Sequence, residues 1–537
     1  MKKIFNKNNL YLIIPVFQII LSFFFDYYIF KRQGNDSIPL IQSWTIICKF
    51  ITFILLTIFW NSIFKKKIKN YKFILIYGAI LFIMFLIVYP GIWRWDDIIN
   101  LGSTTSGKLY YWQHWISSAY FYICMSIIPI PAGIVLIQIT IISIIVGHII
   151  GTCYEKYGKK ALLLFIIFLL PAVIDSCYYP IRANLCAFLE LYLIFELLYG
   201  NYSNNNMIKI LLLVILASTI SVWRPENFIY ILIIPIILIF NYKINYKKLI
   251  VIIIIGIFSS FLMISYQKKG LSERSWISET GEELSENELY SLSGFVTPFG
   301  ELVKLEYNIN PDSTILKEID KIISVEKIVN MGGLGAFWNN GTKSISSSKL
   351  KTLEKKYVQL ILKYPGEFLN ERFTMFKSAN GYIPAETLSC GSAHIYDSDD
   401  ENIVPKNVKD VYNEFKNRYI YNKPINENLR KKIISVLEMK EVNSYNIGDE
   451  KVKFFYNCTY SLISAIIVCL ISLIKKNWKL VLLILTVIAK LVMVFLTAPM
   501  PAFMYFFSTM LICSFFTLNF IIDLDLKKIK FNKIIDN

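Results

Sequence analysis

Apolar residues run through most of this chain in stretches of about 20, the length an α-helix needs to cross a hydrocarbon core of ~30 Å. Short polar clusters separate the stretches. The pattern predicts spans near residues 10–30, 44–64, 71–90, 131–152, 160–176, 182–199, 207–223, 227–242, 247–266, 453–474, 478–497 and 502–522. The first resembles a signal sequence, MKKIFNKNNLYLIIPVFQIILSFFF, but lacks a small-residue cleavage site and reads as an uncleaved span. One apolar stretch breaks the pattern. HWISSAYFYICMSIIPI (114–130) is short, follows polar Gln113, opens with His114 and runs into PIPAG, so it reads as an interfacial or re-entrant segment along the outer face.

Composition agrees with this pattern. The 537 residues are 55% hydrophobic and only 18% charged, less charge than a soluble chain of this length carries. The fold class expected is an all-α polytopic membrane protein, a bundle of about 12 transmembrane helices. The net charge of +17 resides largely in KKKIKNYK (65–72), EKYGKK (155–160), NYKINYKK (241–248), KKNWK (475–479) and KKIKF (527–531). With the N-terminus inside and 114–130 not crossing, twelve spans put every cluster in the cytoplasm. That predicts a multi-pass cell-membrane protein with both termini cytoplasmic. Nothing in the charge pattern resembles a nucleic-acid-binding motif. The nine cysteines have no metal-ligand spacing and read as buried free thiols.

The remaining polar sequence forms one insert. Residues 267–452 hold 27 of the 39 acidic residues, and SKLKTLEKKYVQLILKY (348–364) has apolar positions at helical spacing. The chain divides into a nine-span membrane part (1–266), whose first sizeable outer loop is 91–130, a mostly helical extracytoplasmic insert (267–452), and three final spans with a basic tail (453–537). MGGLGAFWNN reads as a flexible loop, because no strand precedes its glycines and no GK[ST] follows.

Chemistry gathers on the outer side of this topology. Residues 89–101, YPGIWRWDDIINL, place Arg94, Asp96 and Asp97 just beyond a span, with Gln113 and His114 later in the same loop. DSCYYPIRAN (175–184) adds Asp175 and Arg182; SVWRPEN (221–227) adds Arg224 and Glu226; TAPMPAFMY (497–505) adds Tyr505. Charges near membrane depth are costly and are kept where they pair or act. Guanidinium groups suit phosphate oxyanions, and a carboxylate across from them can serve as a general base. Carboxylates with arginines at the outer boundary suggest sugar transfer from a lipid-phosphate carrier. The plainer reading keeps Tyr89, Trp93 and Trp95 as interface anchors, the Asp pair as solvated, and Arg182 and Arg224 as structural partners of Asp175 and Glu226.

The YPG…WDD loop, with a Gln-His pair opening an interfacial helix, resembles the GT-C class of membrane glycosyltransferases, above all bacterial members carrying YPG-x3-[WYF]-D. SVWRPENFIYIL is similar to their outer R-x-N junction, KYPGEFLNERFTMF (363–376) to the stretch before their late spans, and APMPAFMYFFSTML to their closing segment. This chain has His114-Trp115 where the pattern has His-Pro, and Met504-Tyr505 where it often has Arg-Tyr. The resemblance implies transfer, with inversion, from a polyprenyl-phosphate-sugar donor to an extracytoplasmic glycan or lipid-linked acceptor, and with it a membrane-lipid partner. It implies Asp96 as base with Asp97 behind it, Gln113, His114, Glu226 and Tyr505 lining the site, and Arg182 and Arg224 on the lipid phosphate. Some members hold a divalent ion such as Mg or Mn near such carboxylates, although the spacing here does not demand one. A polysaccharide polymerase or ligase, or a transporter or flippase of lipid-linked saccharide, are the alternatives.

Overall fold

The computed structural model describes residues 10–30, 42–65, 70–203, 206–242, 244–278, 281–383, 423–438 and 454–535, without the side chains of 10, 95, 241 and 525–535. His394 and the YDSDDEN run lie outside them. The described chain is predominantly helical. The helices are α1 (Leu10–Ile29), α2 (Ser43–Phe64), α3 (Tyr71–Ile87), α4 (Trp95–Thr105), α5 (Trp115–Ile127) and α6 (Pro131–Tyr157). They continue with α7 (Phe165–Phe168), α8 (Pro171–Ser176), α9 (Arg182–Tyr199), α10 (Met207–Trp223), α11 (Ile229–Tyr242) and α12 (Tyr246–Ser272). The insert carries a hairpin of β1 (Ser275–Ile277) and β2 (Glu283–Ser285), paired antiparallel with Trp276 opposite Leu284. Then come α13 (Glu286–Ser293), α14 (Val296–Ile309), α15 (Thr314–Asp320), α16 (Val325–Trp338), α17 (Ser347–Lys363), α18 (Pro365–Ala379) and a helix Glu427–Glu438. Helices Thr459–Ile474, Trp478–Thr497 and Phe507–Ile535 close the chain.

Among the described residues, six helical stretches are long and apolar enough to cross a membrane: Tyr11–Ile29, Ser43–Phe64, Pro131–Phe168, Tyr246–Ser272, Trp478–Thr497 and Phe507–Leu524. Shorter apolar helices of 10–17 residues include Tyr71–Ile87, Met207–Trp223 and Thr459–Ile474. The protein is therefore an all-α membrane protein by the length and composition of its helices. Large side chains on α1, α2 and α12 point outward, among them Phe24, Phe50 and Phe261, as surfaces facing lipid do.

Small residues let α3 and α6 pack closely. A side chain at Gly147 would strike Ile74 and one at Gly151 would strike Asn70, while Gly78 faces Ser143. The paired positions run in opposite directions, so the helices are antiparallel and their backbones nearly touch, the packing mode that serves best where lipid supplies no hydrophobic drive.

Several expectations change on contact with this architecture. The predicted span 160–176 is not one helix but a 3-10 segment (Gly158–Leu164), then α7 and α8. Pro171 lacks an amide donor and cannot continue the preceding helix, so it starts α8 instead. The 114–130 segment forms α5, whose 13 residues rise about 20 Å, too short to cross. It does not lie on a surface, however. Phe121, Tyr122 and Met125 are fully buried, and Tyr122 reaches Asp26 near the end of α1 at 2.8 Å. MGGLGAFWNN is no flexible loop either. Most of it belongs to α16, kinked at Gly332, and Gly333 sits against Val296 and Gly300 of α14 where a β-carbon has no room.

The insert has its own apolar core, built from Leu292, Phe299, Val303, Ile328 and Leu353 among others. Its later pieces join the main bundle instead: Ala379, Ile434 and Leu437 lie in the bundle's core. Two buried arginines of the insert, Arg372 and Arg430, reach backbone carbonyls of the bundle. Arg372 donates to Ala498 at 2.8 Å, and Arg430 to Gly91 at 3.0 Å. At the opposite end of the bundle the basic segments come together, Lys479 donating to the Tyr242 hydroxyl at 2.6 Å.

Candidate functional site

The segment after α3 is fixed before it reaches its carboxylates. Gly91 takes a φ of +104°, which glycine alone tolerates well, and Val135 leaves no room for a side chain there. The Ile92 amide donates to the Tyr178 carbonyl at 3.0 Å, and the Tyr178 hydroxyl donates to Leu81, also at 3.0 Å. The Arg94 guanidinium lies 4.2 Å from the centre of the Tyr179 ring. Gln138 of α6 braces these tyrosines by donating to the carbonyls of Cys177 and Tyr179 at 3.0 and 2.7 Å.

Asp96 and Asp97 occupy the first turn of α4, where the helix dipole favours negative charge. They face different surroundings. Asp97 is 3% exposed and its carboxylate accepts the Arg94 amide at 3.3 Å. Burial, and then the neighbouring charge of Asp96, push its carboxyl up to about 8, against the pull of Arg94. Asp96 is half-exposed and has no hydrogen bond or ion pair among the described residues. Burial raises its carboxyl above the usual range, and Arg182 and Arg94 pull it back. Asp96 is thus both desolvated and partly accessible.

The other site residues enter from three directions. Arg182 is the first residue of α9, half-exposed, donating to the Trp223 carbonyl at 3.3 Å. Trp223 donates from its ring nitrogen to Ser117 at 2.8 Å, and Ser117 donates to the Gln113 carbonyl at 2.6 Å. A continuous chain of contacts thus joins Arg182 to the Gln113-His114 corner. The Gln113 side chain makes no hydrogen bond among the described residues. Arg224 is closed up: it forms an ion pair with Glu226, its Nε 2.5 Å from Oε1, and lies 5.3 Å from the Tyr505 ring. Tyr505 also feels Arg182 and Asp96, so the four junctions meet in one place.

The corner itself is held by α12. Gln267 accepts the Trp115 amide at 3.1 Å and donates to the Tyr111 carbonyl at 2.5 Å, while Arg274 donates to Leu109 at 2.9 Å. Ser118 ties α5 to α4 through Asn100 at 2.6 Å.

Sequence reasoning gave no role to Tyr110, which lies within electrostatic reach of Asp96, Arg182 and Glu286 and whose hydroxyl is raised well above its usual range, mainly by burial. It also passed over Lys490, the one charge in the apolar run Val481–Phe495, which pairs with Glu190 at 2.5 Å and donates to Ser508 at 2.6 Å. Tyr230 donates to the same Glu190. His148 of α6 contacts Glu196 at 3.1 Å. Asp175 is buried.

Among the described residues no group of three or more His, Cys, Asp or Glu side chains is arranged to hold a metal ion. Arginines, not a third carboxylate, flank the Asp pair, so these residues do not fit the divalent ion that the resemblance suggests. No protein-family profile, curated protein or solved structure matches the chain.

Proposed function

We propose that the chain crosses the cell membrane twelve times with both termini cytoplasmic and the 267–452 insert outside, and that it acts as a GT-C-like glycosyltransferase. The reading of sides rests on the separation of basic segments at one end of the bundle from the insert at the other. The donor is a polyprenyl-phosphate-linked sugar, and the acceptor a glycan or lipid-linked hydroxyl entering beneath the insert. The observation that carries this reading is Asp96: a partly accessible carboxylate without an ion pair among the described residues, on which the charges of Arg182 and Arg94 act.

In this mechanism Asp96 takes the proton of the acceptor hydroxyl as its oxygen attacks the anomeric carbon. The bond from that carbon to the phosphate oxygen breaks, the polyprenyl phosphate leaves with the electron pair, and the configuration inverts. Arg182 stabilises the charge that grows on the phosphate. Arg224 keeps Glu226 and Tyr505 in position. General-base help is worth about 10²–10⁴-fold. Asp96→Asn should therefore lower transfer to membrane glycan by about that factor, with the amount and thermal midpoint of the protein unchanged. Undiminished transfer in that variant would falsify the assignment.

A transporter or flippase of lipid-linked saccharide is the second reading, favoured by the Glu190–Lys490 pair deep among the helices. That pair is fully satisfied by Tyr230 and Ser508, which argues for a structural role.

A further inference from the structure

His114 is the most constrained residue of the site. Its φ of +68° lies where non-glycine residues are strained, and such strain persists only where the surroundings impose it. Here they do. The His114 amide donates to Tyr111 at 2.9 Å, its carbonyl accepts from Ser117 at 2.9 Å, and Gln267 grips the residues on both sides. The side chain is 4% exposed. Its Nδ1 accepts the Ile116 amide at 3.3 Å, which leaves the ring proton on Nε2. That Nε2 is buried and has no partner among the described residues. A buried donor without an acceptor is costly, and in a native structure it needs a partner: an ordered water, an ion or a ligand.

The surroundings specify the ligand. His114 caps the N-terminus of α5, and the charge of Arg182, the first residue of α9, acts on its imidazole. The chain Arg182–Trp223–Ser117 brings the guanidinium to the same corner, and Arg182 uses one hydrogen bond on protein among the described residues. Burial and the Arg182 charge hold the imidazole down at about 3, so it stays neutral and serves as a donor across the physiological range.

We propose that His114 Nε2–H and Arg182 together form a phosphate subsite, in which the neutral imidazole donates to one phosphoryl oxygen and the guanidinium to others. This deepens the proposed function and rests on its phosphate-bearing donor, while assigning the grip to His114 and Arg182 instead of the paired Arg224. The phosphate can come from a lipid carrier or from free anion, and the test separates them.

The full-length protein in detergent would be examined by native mass spectrometry for binding of a polyprenyl monophosphate, the polyprenol of equal length, and inorganic phosphate. Asparagine caps helices well and tolerates positive φ, so His114→Asn preserves the corner and removes the Nε2 donor. Glutamine carries an N–H at about the reach of Nε2. The expected result is polyprenyl phosphate bound in preference to polyprenol, about ten- to a hundredfold more weakly in His114→Asn, and largely restored in His114→Gln. In ¹⁵N spectra the Nε2 resonance of His114 should move on adding the lipid phosphate, which a purely structural histidine would not do. If His114→Asn binds as tightly as the wild type, the subsite is wrong while the donor reading stands. Inorganic phosphate bound with the same dependence on His114, and no gain from the lipid chain, would uphold the subsite and remove the lipid donor. Binding of neither anion by the wild type overturns both.

Discussion

Glu190 and Lys490 lie in the interior of the bundle 2.5 Å apart, 1% and 3% exposed, with Tyr230 and Ser508 completing their hydrogen bonds. Asp26 and Lys49 repeat the arrangement between α1 and α2, 3.0 Å apart with Tyr122 and Ser22 as further partners. At the end of the bundle near the insert, Asp96 and Arg182 influence each other without touching, and the His114 donor beside them is unmet. The contrast separates two uses of charge in a low-dielectric setting. Where partners close on each other, the arrangement fixes helix positions. Where the geometry keeps opposite charges apart and partly accessible, it leaves capacity for a ligand.

The interior pair offers the largest test of this contrast. Lys490→Met strands the Glu190 carboxylate, and breaking one side of a buried pair costs about 3–5 kcal/mol. Folded protein recovered from membranes should fall sharply. Replacing both residues, Glu190→Leu with Lys490→Met, removes the uncompensated charge and should restore most of the thermal midpoint along with glycan transfer. A double variant that folds but transfers nothing would move this pair from the structural group to the functional one and strengthen the transport reading.

How much of this was visible beforehand follows from the physics of each feature. Six of the twelve predicted spans, those near 10–30, 44–64, 131–152, 247–266, 478–497 and 502–522, were legible because run length and hydrophobicity suffice to recognise a helix long enough for lipid. The break in 160–176 was also written in the chain, at Pro171, but its apolar flanks hid it. The junction residues were legible as candidates, since a charge beside a span stands out. Which of them pair was not. RANL and RPEN look alike, yet Arg224 closes on a glutamate two residues away while Arg182 reaches a backbone carbonyl 41 residues distant. The contact of Arg430 with Val88 and Gly91 left no sequence trace, because those two acceptors are main-chain carbonyls, which every residue carries.

That arginine gives the next test. Arg430→Met takes a donor from the Gly91 carbonyl and one of two donors from Val88, which keeps the Gly91 amide, a loss of about 1–3 kcal/mol for a buried acceptor. The segment it pins leads directly to Asp96, so transfer should drop further than the thermal midpoint does. Hydrogen exchange should rise at residues 88–94 and stay unchanged in the 347–363 helix. Equal loosening everywhere would mean that Arg430 serves global stability and does nothing special for the site.

The smallest effect at neutral pH is expected at Asp97, the closed member of the acidic pair. Its carboxyl titrates near 8 in the folded protein, against 3.8 for an unperturbed group, so between these values the folded state holds a proton that the unfolded state has released. Stability from this group is complete below about pH 4 and is lost as pH rises through 8, since ionising Asp97 then buries a charge and sets it beside Asp96. Asp97→Asn keeps a neutral, polar side chain of the same shape at this buried position. The thermal midpoint of the variant should lose the wild-type decline between pH 5 and 9, and transfer at pH 7 should stay within a few-fold. Asp96→Asn cannot reproduce that profile if the two carboxylates differ as their surroundings indicate: it should lower transfer by about 10²–10⁴-fold while lowering the Asp97 titration only in part, because burial, the larger cause of the rise, stays and only the Asp96 charge is gone. Identical pH profiles in the two variants would show that the acids act as one unit, and the distinction between a closed and an open carboxylate on α4 would have to be abandoned.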